Sequence, residues 1–380
     1  MTNQKIIFPF KNKPEFINEL RIKVNAYFED NKISKYGNPG MVVKTIFMFA
    51  LYLVPYFLMI TGVVRNPVTM LFLWLIMGTG MAGIGLSVMH DANHKVYSKN
   101  QKVNKVLFYS LNFLSGFFQT WQHQHNTLHH GYTNIDGHDE DINPGKILRL
   151  SPSKPKYSFH KYQHFYGWFV YGLMTLTWST NKDFKQLYRY HREGVTLNTK
   201  RSFRSLLTEL IISKIFFYGY LLVIPLLLLP LPWWLVIVYY LSMHLVCGFI
   251  LGIIFQTAHV MPTSRYPLPD KKGNMENNWA IHQLLTTTDY SPNARAFSWF
   301  VGGLNYQVEH HLFLNICHVH YRKIAPIVRE TAEKHGLPYH VQPTFFKALH
   351  EHYKMLKLLG RQSAIKTGKE QQMVRGYKSA

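Results

Sequence analysis

Four long apolar runs constrain the fold of this chain most strongly. They cover residues 42–64, 68–89, 211–229 and 233–255. Each is close to the ~20 residues that a helix needs to cross the hydrocarbon core of a bilayer. The short connections Arg65-Asn66-Pro67 and Pro230-Leu231-Pro232 join the runs in pairs. The pattern predicts an all-α integral membrane protein with four transmembrane helices in two hairpins.

The distribution of charge predicts the orientation of these hairpins. Basic residues crowd the segment before the first run, whereas the two turns carry one charge, Arg65. Basic segments stay in the cytoplasm, so we expect both termini there, in a bacterial inner membrane rather than the endoplasmic reticulum. The net charge is +22, and the basic residues flank the apolar spans. This arrangement suits contact with anionic lipid headgroups. No nucleic-acid-binding motif is present, and no nucleic acid partner is expected.

The ends of the chain are predicted to differ from its centre. Residues 1–41 are predicted to form a cytoplasmic N-terminal segment with an amphipathic helix from Pro14 to Glu29. Its apolar face is predicted to contain Ile17, Leu20, Val24 and Tyr27. Residues 361–380 are basic and lack periodicity, so we expect a disordered tail.

Residues 42–360 are predicted to form a single domain. Segments 90–205 and 256–360 would form a cytoplasmic helical cap that holds a di-metal site. The apolar stretches 106–120 and 166–178 are too short to span and are expected to form interfacial helices.

Two further helices are predicted near the C-terminus. They cover 326–335 and 343–359, the latter with Phe346, Leu349, Tyr353 and Leu356 on one face.

Histidines concentrate in three clusters outside the spans. The patterns are His90-x-x-x-His94, His125-x-x-x-His129-His130 and Gln307-x-x-His310-His311. Residues four apart on a helix share a face. His259, at the end of the fourth run, is a further candidate. The predicted metal ligands are His90, His94, His125, His129, His130, His259, His310 and His311.

The number of imidazoles indicates two metal ions. Eight ligands are too many for one four-coordinate zinc, and imidazole suits iron, copper or zinc. Gln307 is predicted to be a weak or water-mediated ligand. Nearby carboxylates either form a solvated acidic loop or orient the imidazoles by accepting their outer N–H groups. These carboxylates are Asp91, Asp136, Asp139, Asp141 and Glu309.

Several other site types are excluded by their missing motifs. The chain has no His-Glu-x-x-His, no Glu-x-x-His, no Walker loop and no Gly-x-Ser-x-Gly elbow. A zincin protease, a soluble di-iron carboxylate protein, a P-loop nucleotide-binding protein and an α/β-hydrolase are therefore disfavoured.

Together the motifs resemble the membrane fatty acid desaturase family, whose three histidine boxes they match in order and spacing. The stretch from Gly302 to Phe313 is similar to the front-end, linoleoyl-CoA desaturase-like branch, in which Gln replaces the first histidine of box three. Residues 255–260 resemble the segment in which this family places its extra histidine. The resemblance covers roughly residues 37–339.

The resemblance implies two iron ions, O₂ as co-substrate and the insertion of a cis double bond into a fatty acyl chain. The substrate would be an acyl-CoA, a phospholipid or an acyl-acyl carrier protein. An acyl or lipid hydroxylase of the same family stays open as an alternative. A membrane metal transporter is a distant one, because such a protein should place its ligands near mid-membrane.

Two departures from the family pattern stand out. The chain lacks the His-Pro-Gly-Gly motif of a fused cytochrome b5 domain, and 41 residues before the first run are few for a domain. No bound haem, flavin or NAD is expected, so a separate ferredoxin or cytochrome b5-like donor with its reductase would supply electrons. The predicted contacts of this donor are Lys146, Arg149, Lys154, Lys156 and the basic tail, and contact of these residues with anionic lipid is the alternative. Leu314 also stands where relatives commonly have Pro.

Overall fold

The computed structural model describes residues 5–9, 13–195, 197 and 199–363. The predicted tail lies outside them from residue 364 onward. The chain forms two compact units. One, here called the span unit, comprises residues 36–123 and 168–253; the other, the histidine unit, comprises the described parts of 1–35, 124–167 and 254–380. The predicted boundaries at 41 and 360 stay predictions.

Helices long and apolar enough to cross a membrane confirm the four predicted spans. Among the described residues they are Pro39–Ile60, Pro67–Asn93, Phe203–Leu228 and Trp233–His259. The first ends earlier than predicted because Gly62, at a φ of 74°, takes the left-handed conformation that stops a helix. The third begins earlier because the Ser202 hydroxyl caps a polar first turn.

Small residues allow the second span to approach its neighbours closely. A Cβ atom on Gly80 would lie 2.7 Å from the backbone nitrogen of Tyr52 in the first span. One on Gly78 would lie 2.5 Å from the carbonyl oxygen of Met243 in the fourth span. Glycine at helix contacts permits this close packing in a membrane. Residues Ile84–Met89 of the second span wind as a π-helix and lead directly into His90.

The shorter helices of the chain follow the predicted stretches only in part. Residues 106–120 contain a break after Phe113, where the Asn112 side chain accepts a hydrogen bond from the backbone N–H of Phe118. The helical segments from here to residue 192 are Gln101–Phe113, Phe118–Gln122, His123–His129, His130–Tyr132, Ser158–Tyr162, Gln163–Gly172, Met174–Thr177, Trp178–Lys182 and Asp183–Arg192.

The third span contains a buried lysine with a full set of acceptors. Lys214 Nζ lies 2.7 Å from Asp183 Oδ2 and 2.7 Å from the Trp178 carbonyl oxygen, and it also bonds to the Ser115 carbonyl oxygen at 2.5 Å. Asp183 also accepts from the Thr120 hydroxyl. A buried charge is tolerated only when it is paired and hydrogen-bonded in this way. The pair therefore ties the third span to the segments before it.

Helices also dominate the histidine unit. The remaining elements are Trp279–Thr286, Arg295–Phe300, Gln307–Leu312, His318–His320, Tyr321–Lys334 and Phe345–Arg361, with the helix Pro14–Asp30 at the N-terminus. Within the described residues, the strands Asp289–Tyr290 and Val341–Gln342 pair in parallel. They are too short to change the predicted all-α class.

An apolar core in this unit joins the N-terminal helix to the helix Tyr321–Lys334. The N-terminal helix buries Phe16, Leu20, Val24 and Phe28 against the helix Tyr321–Lys334. The predicted face was shifted, since Ile17 and Tyr27 are only partly buried.

The C-terminal helix likewise departs from the prediction. It buries Ala348, His352, Met355, Leu356 and Leu359, whereas Phe346 is 83% exposed. A buried histidine at position 352 fits because its Nδ1 bonds to the Val260 carbonyl oxygen at 2.8 Å. Sequence periodicity treats histidine as polar, so the predicted face shares Leu356 with the buried face but is shifted from it.

The first testable prediction concerns the Lys214–Asp183 pair. We expect Lys214→Met to lower the free energy of unfolding by about 3–5 kcal/mol, because it leaves a buried carboxylate without its cation. Thermal unfolding of the detergent-solubilised protein measures the effect. Lys102→Met, at an exposed position of the span unit, is the matched control and should leave the melting temperature unchanged. Equal melting temperatures for both variants would contradict a stabilising role.

Candidate metal centre

A π-helical turn shapes the second histidine cluster. Residues His123–His129 have the wider π winding, in which backbone hydrogen bonds join residues five apart. The two imidazoles closest to each other are accordingly His125 and His130, with their Nε2 atoms 3.1 Å apart. The α-helical expectation had paired His125 with His129, whose ring centroids lie 5.6 Å apart. The local winding therefore gathers the box-two imidazoles of His125, His129 and His130 around one point, with ring centroids 4.5–5.6 Å apart.

Six histidines of the histidine unit meet around that point. His130 contacts His310 and His311, with ring-centroid distances of 4.6 and 4.4 Å. His129 contacts His259 and His311 at 4.7 and 5.0 Å. All of them are at least 96% buried. The members are His125, His129, His130, His259, His310 and His311, here called the histidine cluster.

Two overlapping triads within this cluster can each hold a metal ion. The ligand nitrogens of His129, His259 and His311 lie within 4.8 Å of one another. Those of His130, His310 and His311 do the same. His311 belongs to both triads, but its Nε2 carries one lone pair, so His311 can complete only one of the two triads at a time.

Protein oxygen atoms lie beside the Nδ1 atoms of four of these imidazoles. His259 Nδ1 lies 3.2 Å from the Thr286 carbonyl oxygen, and His311 Nδ1 lies 2.8 Å from Gln283 Oε1. His310 Nδ1 lies 3.2 Å from the Tyr321 hydroxyl oxygen. His129 Nδ1 lies 3.3 Å from an Asp139 oxygen. A proton held on Nδ1 leaves the lone pair on Nε2, the nitrogen that binds a metal.

The acidic loop after box two supplies the acceptors for His129. Asp139 receives the backbone N–H groups of Asn134 and Asp141, each at 2.9 Å. Asp141 Oδ2 also lies 3.4 Å from His129 Nδ1. Burial lowers the pKa of His129, but the two carboxylates outweigh burial and raise this pKa to about 9. The loop thus holds a proton on the outer nitrogen of a buried imidazole, and Asn134 accommodates its positive φ of 59°.

The other carboxylates predicted to orient imidazoles have different neighbours. Asp136 pairs with Lys154 Nζ at 3.1 Å. Glu309 faces Asp289 under box three, and the Tyr339 hydroxyl lies 2.9 Å from Glu309 and 2.7 Å from Asp289.

The Asp289–Glu309 pair anchors the box-three helix. Burial and the neighbouring Asp289 raise the pKa of Glu309 well above its ordinary value, and burial raises the pKa of Asp289 to about 6. Two adjacent buried carboxyls do not both ionise easily, so the pair favours a single negative charge. Asp289 accepts the backbone N–H of Val308 at 2.9 Å. This interaction fixes the first turn of the helix Gln307–Leu312.

Gln307 lies at the start of that helix and is buried. Its side-chain amide donates to the Leu304 carbonyl oxygen at 2.8 Å. This bond fixes the amide nitrogen on the backbone side, so the amide oxygen is the atom that remains for a metal or a water. Its predicted role as a weak ligand stays a prediction.

The first histidine box, His90 and His94, lies in the span unit. His90 and His94 end the second span, and their ring centroids are 4.8 Å apart. His90 and Asp91 are each 1% exposed, whereas His94 is half-buried. The predicted helical pairing of the two imidazoles is thus present within this unit.

Several residues around the histidine cluster were not predicted from the sequence. They are Thr133, Tyr321, Gln283, Trp279 and Thr286, of which Thr286 contributes only its backbone. Trp279 and Gln283 are four residues apart on one helix, and both donate to the carbonyl oxygen of His130. Helical spacing places them on one face, but neither residue type marks a metal site by itself.

Comparison with known proteins identifies the family. The family described as Fatty acid desaturase matches residues 66–343. An sn-1 linoleoyl-lipid 6-desaturase from Arthrospira platensis is 36% identical, covering 94% of this chain and 96% of that protein. A Synechocystis protein of the same name is 32% identical, covering 93% and 98%. An acyl-lipid (8-3)-desaturase from Physcomitrium patens is 33% identical, covering 91% and 72%.

The chain belongs to the fatty acid desaturase family. The predicted front-end type is confirmed, and the protein is an oxidoreductase that desaturates fatty acyl chains. The names of these relatives do not favour the hydroxylase alternative. For this desaturase the four apolar helices are spans of a membrane protein.

The histidine cluster of the desaturase fits a metal site. Its donors are imidazole nitrogens, which bind iron and other first-row metals. They are buried, they converge in triads, and acceptors fix the orientation of several rings. Structural metal sites generally show this outer set of hydrogen bonds.

The prediction that Arg149 contacts the electron donor is wrong, because this side chain is buried. Its guanidinium is 0% exposed and bonds to the carbonyl oxygens of Lys154, Pro152 and Leu359. Lys154 is engaged with Asp136. Lys146 and Lys156 are exposed. The arginine instead fastens the C-terminal helix to the loop at 149–154.

The second testable prediction concerns the acidic loop that contains Asp139. We expect Asp139→Asn to weaken metal binding about 10–100-fold, because it removes the negative charge that orients and polarises His129. Metal content of the purified protein after dialysis against a graded chelator measures this affinity. The matched control is Asp136→Asn, on the same loop but paired with Lys154, and it should bind metal as the unmodified protein does. Equal losses in both variants would mean that the loop acts only through its general stability.

Proposed function

We propose that the desaturase holds two iron ions at the eight histidines predicted from sequence. They are His90, His94, His125, His129, His130, His259, His310 and His311, with Gln307 as a weak or water-mediated ligand. The observation that carries the proposal is the histidine cluster with its two triads sharing His311. The proposal for His90 and His94 rests on their four-residue spacing and burial.

We propose that the substrate is an acyl chain esterified in a lipid. The new cis double bond would lie between the carboxyl end and an existing double bond. The names of the relatives, linoleoyl-lipid and acyl-lipid desaturases, support this choice over acyl-CoA or an acyl carrier protein. Two bound irons would activate O₂ to remove hydrogen from unactivated methylenes, a chemistry that side chains alone cannot supply.

The residues of the chain itself hold and insulate that chemistry. Thr286, Gln283, Tyr321 and Asp139 keep the outer nitrogens of their imidazoles bonded. The surrounding side chains exclude water, since every member of the histidine cluster is buried. Water exclusion protects a reactive site from side reactions. The Asp289–Glu309 pair fixes the box-three helix without adding a second full negative charge.

We also propose that both termini face the cytoplasm of a bacterial cell and that a separate carrier delivers the electrons. The lysine-rich N-terminal segment supports this orientation. A ferredoxin or cytochrome b5-like protein is acidic enough to be drawn to a basic surface, which speeds transient encounters. Lys146 and Lys156 are exposed and available for such an encounter.

Product analysis tests the proposed reaction. Expression in a host with a defined linoleoyl lipid should yield an additional double bond on the carboxyl side, located by mass spectrometry of the extracted lipids. His129→Ala and His311→Ala should abolish the product while the protein stays in the membrane. Phe346→Ala, at an exposed position, is the control. A hydroxylated product would replace the proposed reaction, and full product from either histidine variant would remove that residue from the ligand set.

Membrane vesicles test the donor and the orientation together. Inverted vesicles supplied with NAD(P)H, a reductase and a small acidic carrier should desaturate their lipids, and sealed right-side-out vesicles should not. Omission of the carrier should stop turnover, and rising salt should slow it by screening. Turnover in right-side-out vesicles would reverse the proposed topology. Turnover without the carrier would show that the chain holds its own redox centre.

A further inference from the structure

Gln283 lies where the second and third histidine boxes meet. It sits on the helix Trp279–Thr286, and its side chain is 0% exposed. Its Nε2 lies 3.1 Å from the carbonyl oxygen of His130, and its Oε1 lies 2.8 Å from His311 Nδ1. One amide therefore contacts the backbone of one box and the imidazole of the other.

The chemistry of these partners fixes the orientation of the amide. A backbone carbonyl can only accept, so the group that faces His130 must be the NH₂ end. The Trp279 indole N–H donates to the same oxygen at 3.0 Å and supports this arrangement. The amide oxygen is then left facing His311. The Thr133 hydroxyl, 2.9 Å away, lies beside that oxygen as well.

The orientation of the amide in turn fixes the tautomer of His311. An amide oxygen can only accept, so His311 Nδ1 must carry the proton and Nε2 must carry the lone pair. His311 is the imidazole that both triads share. A wrong tautomer there would remove one ligand from whichever triad His311 completes.

We propose that Gln283 is a positioning residue that sets the tautomer and ring orientation of His311 and thereby the metal affinity of the triad that His311 completes. The proposal rests on the proposed di-iron function. Gln283 does not touch the metal or the substrate in this role. It acts through His311, and its anchor is the main chain of box two, so movement of either box changes the geometry of the other.

Two substitutions separate the acceptor from the rest of the side chain. Gln283→Met keeps the approximate length and removes the nearer acceptor, leaving the Thr133 hydroxyl 3.3 Å from His311 Nδ1, while Trp279 still satisfies the His130 carbonyl. Gln283→Glu keeps an acceptor opposite His311. Thr331→Val is the matched control, because Thr331 is equally buried and its hydroxyl bonds only within its own helix, to the Ile327 carbonyl oxygen.

Binding of Co²⁺ to the metal-free, full-length protein in lipid nanodiscs provides the measurement. Visible absorption of Co²⁺ reports both affinity and coordination, independently of desaturation. We expect Gln283→Met to bind Co²⁺ about 10–100-fold more weakly than the unmodified protein. Gln283→Glu should retain affinity within a few-fold and shift the absorption band, because a carboxylate makes the imidazole more basic. Thr331→Val should match the unmodified protein in both affinity and band.

The outcomes distinguish this inference from the function on which it rests. Failure of the unmodified protein to bind Co²⁺ or Fe²⁺ would overturn the proposed metal centre itself. Unchanged affinity and band in Gln283→Met, with the unmodified protein binding two ions, would overturn only the role of Gln283. If Gln283→Met does not fold, Gln283→Glu decides: a shifted band supports the proposal, and an unchanged band overturns it.

Discussion

A buried imidazole has two nitrogens to satisfy, and the candidate site depends on how the protein satisfies the outer one. Leaving a buried polar group without a partner costs about 1–3 kcal/mol, so a cluster of buried histidines is stable only with matched acceptors. Those acceptors come from separate segments: the loop after box two, the helix Trp279–Thr286 and the helix Tyr321–Lys334. The core that packs these segments together therefore also determines which nitrogen each histidine presents.

The same need for hydrogen-bond partners explains how the buried charged side chains are tolerated. Lys214 is paired with Asp183 and two carbonyl oxygens, and Arg149 is enclosed by carbonyl oxygens of its own unit. The carboxyls of Asp289 and Glu309 lie beneath box three, where the Tyr339 hydroxyl bonds to both. In each case a charged residue in an apolar setting fastens two segments that are distant in sequence. These contacts supply geometric precision, which a site built from several helices requires.

The spans and the histidine boxes could be predicted because each depends on local sequence. A run of apolar residues shows its own length, and a spacing of four shows its own helical face. The partners could not be predicted in this way. Gln283 is far in sequence from both His130 and His311, and nothing in its neighbourhood marks it as their link. Glu309 adjoins two ligands, yet its partner is Asp289, because side chains next to each other on a helix point in different directions. The π-helical turn at box two brings His125 next to His130, and no residue pattern predicts such a turn.

The anchoring of the imidazoles also bears on the choice between an enzyme and a metal transporter. A transporter must release its metal, so its ligands need to rearrange at low cost. In the histidine cluster, the outer nitrogens are held by a backbone carbonyl, a carboxylate, a carboxamide and a phenol, all of them buried. Rotation of His311 would break its bond to Gln283, and rotation of His129 would break its contact with Asp139. A cluster in which each rotation breaks a buried hydrogen bond is suited to keeping its metals through many turnovers, as a desaturase must.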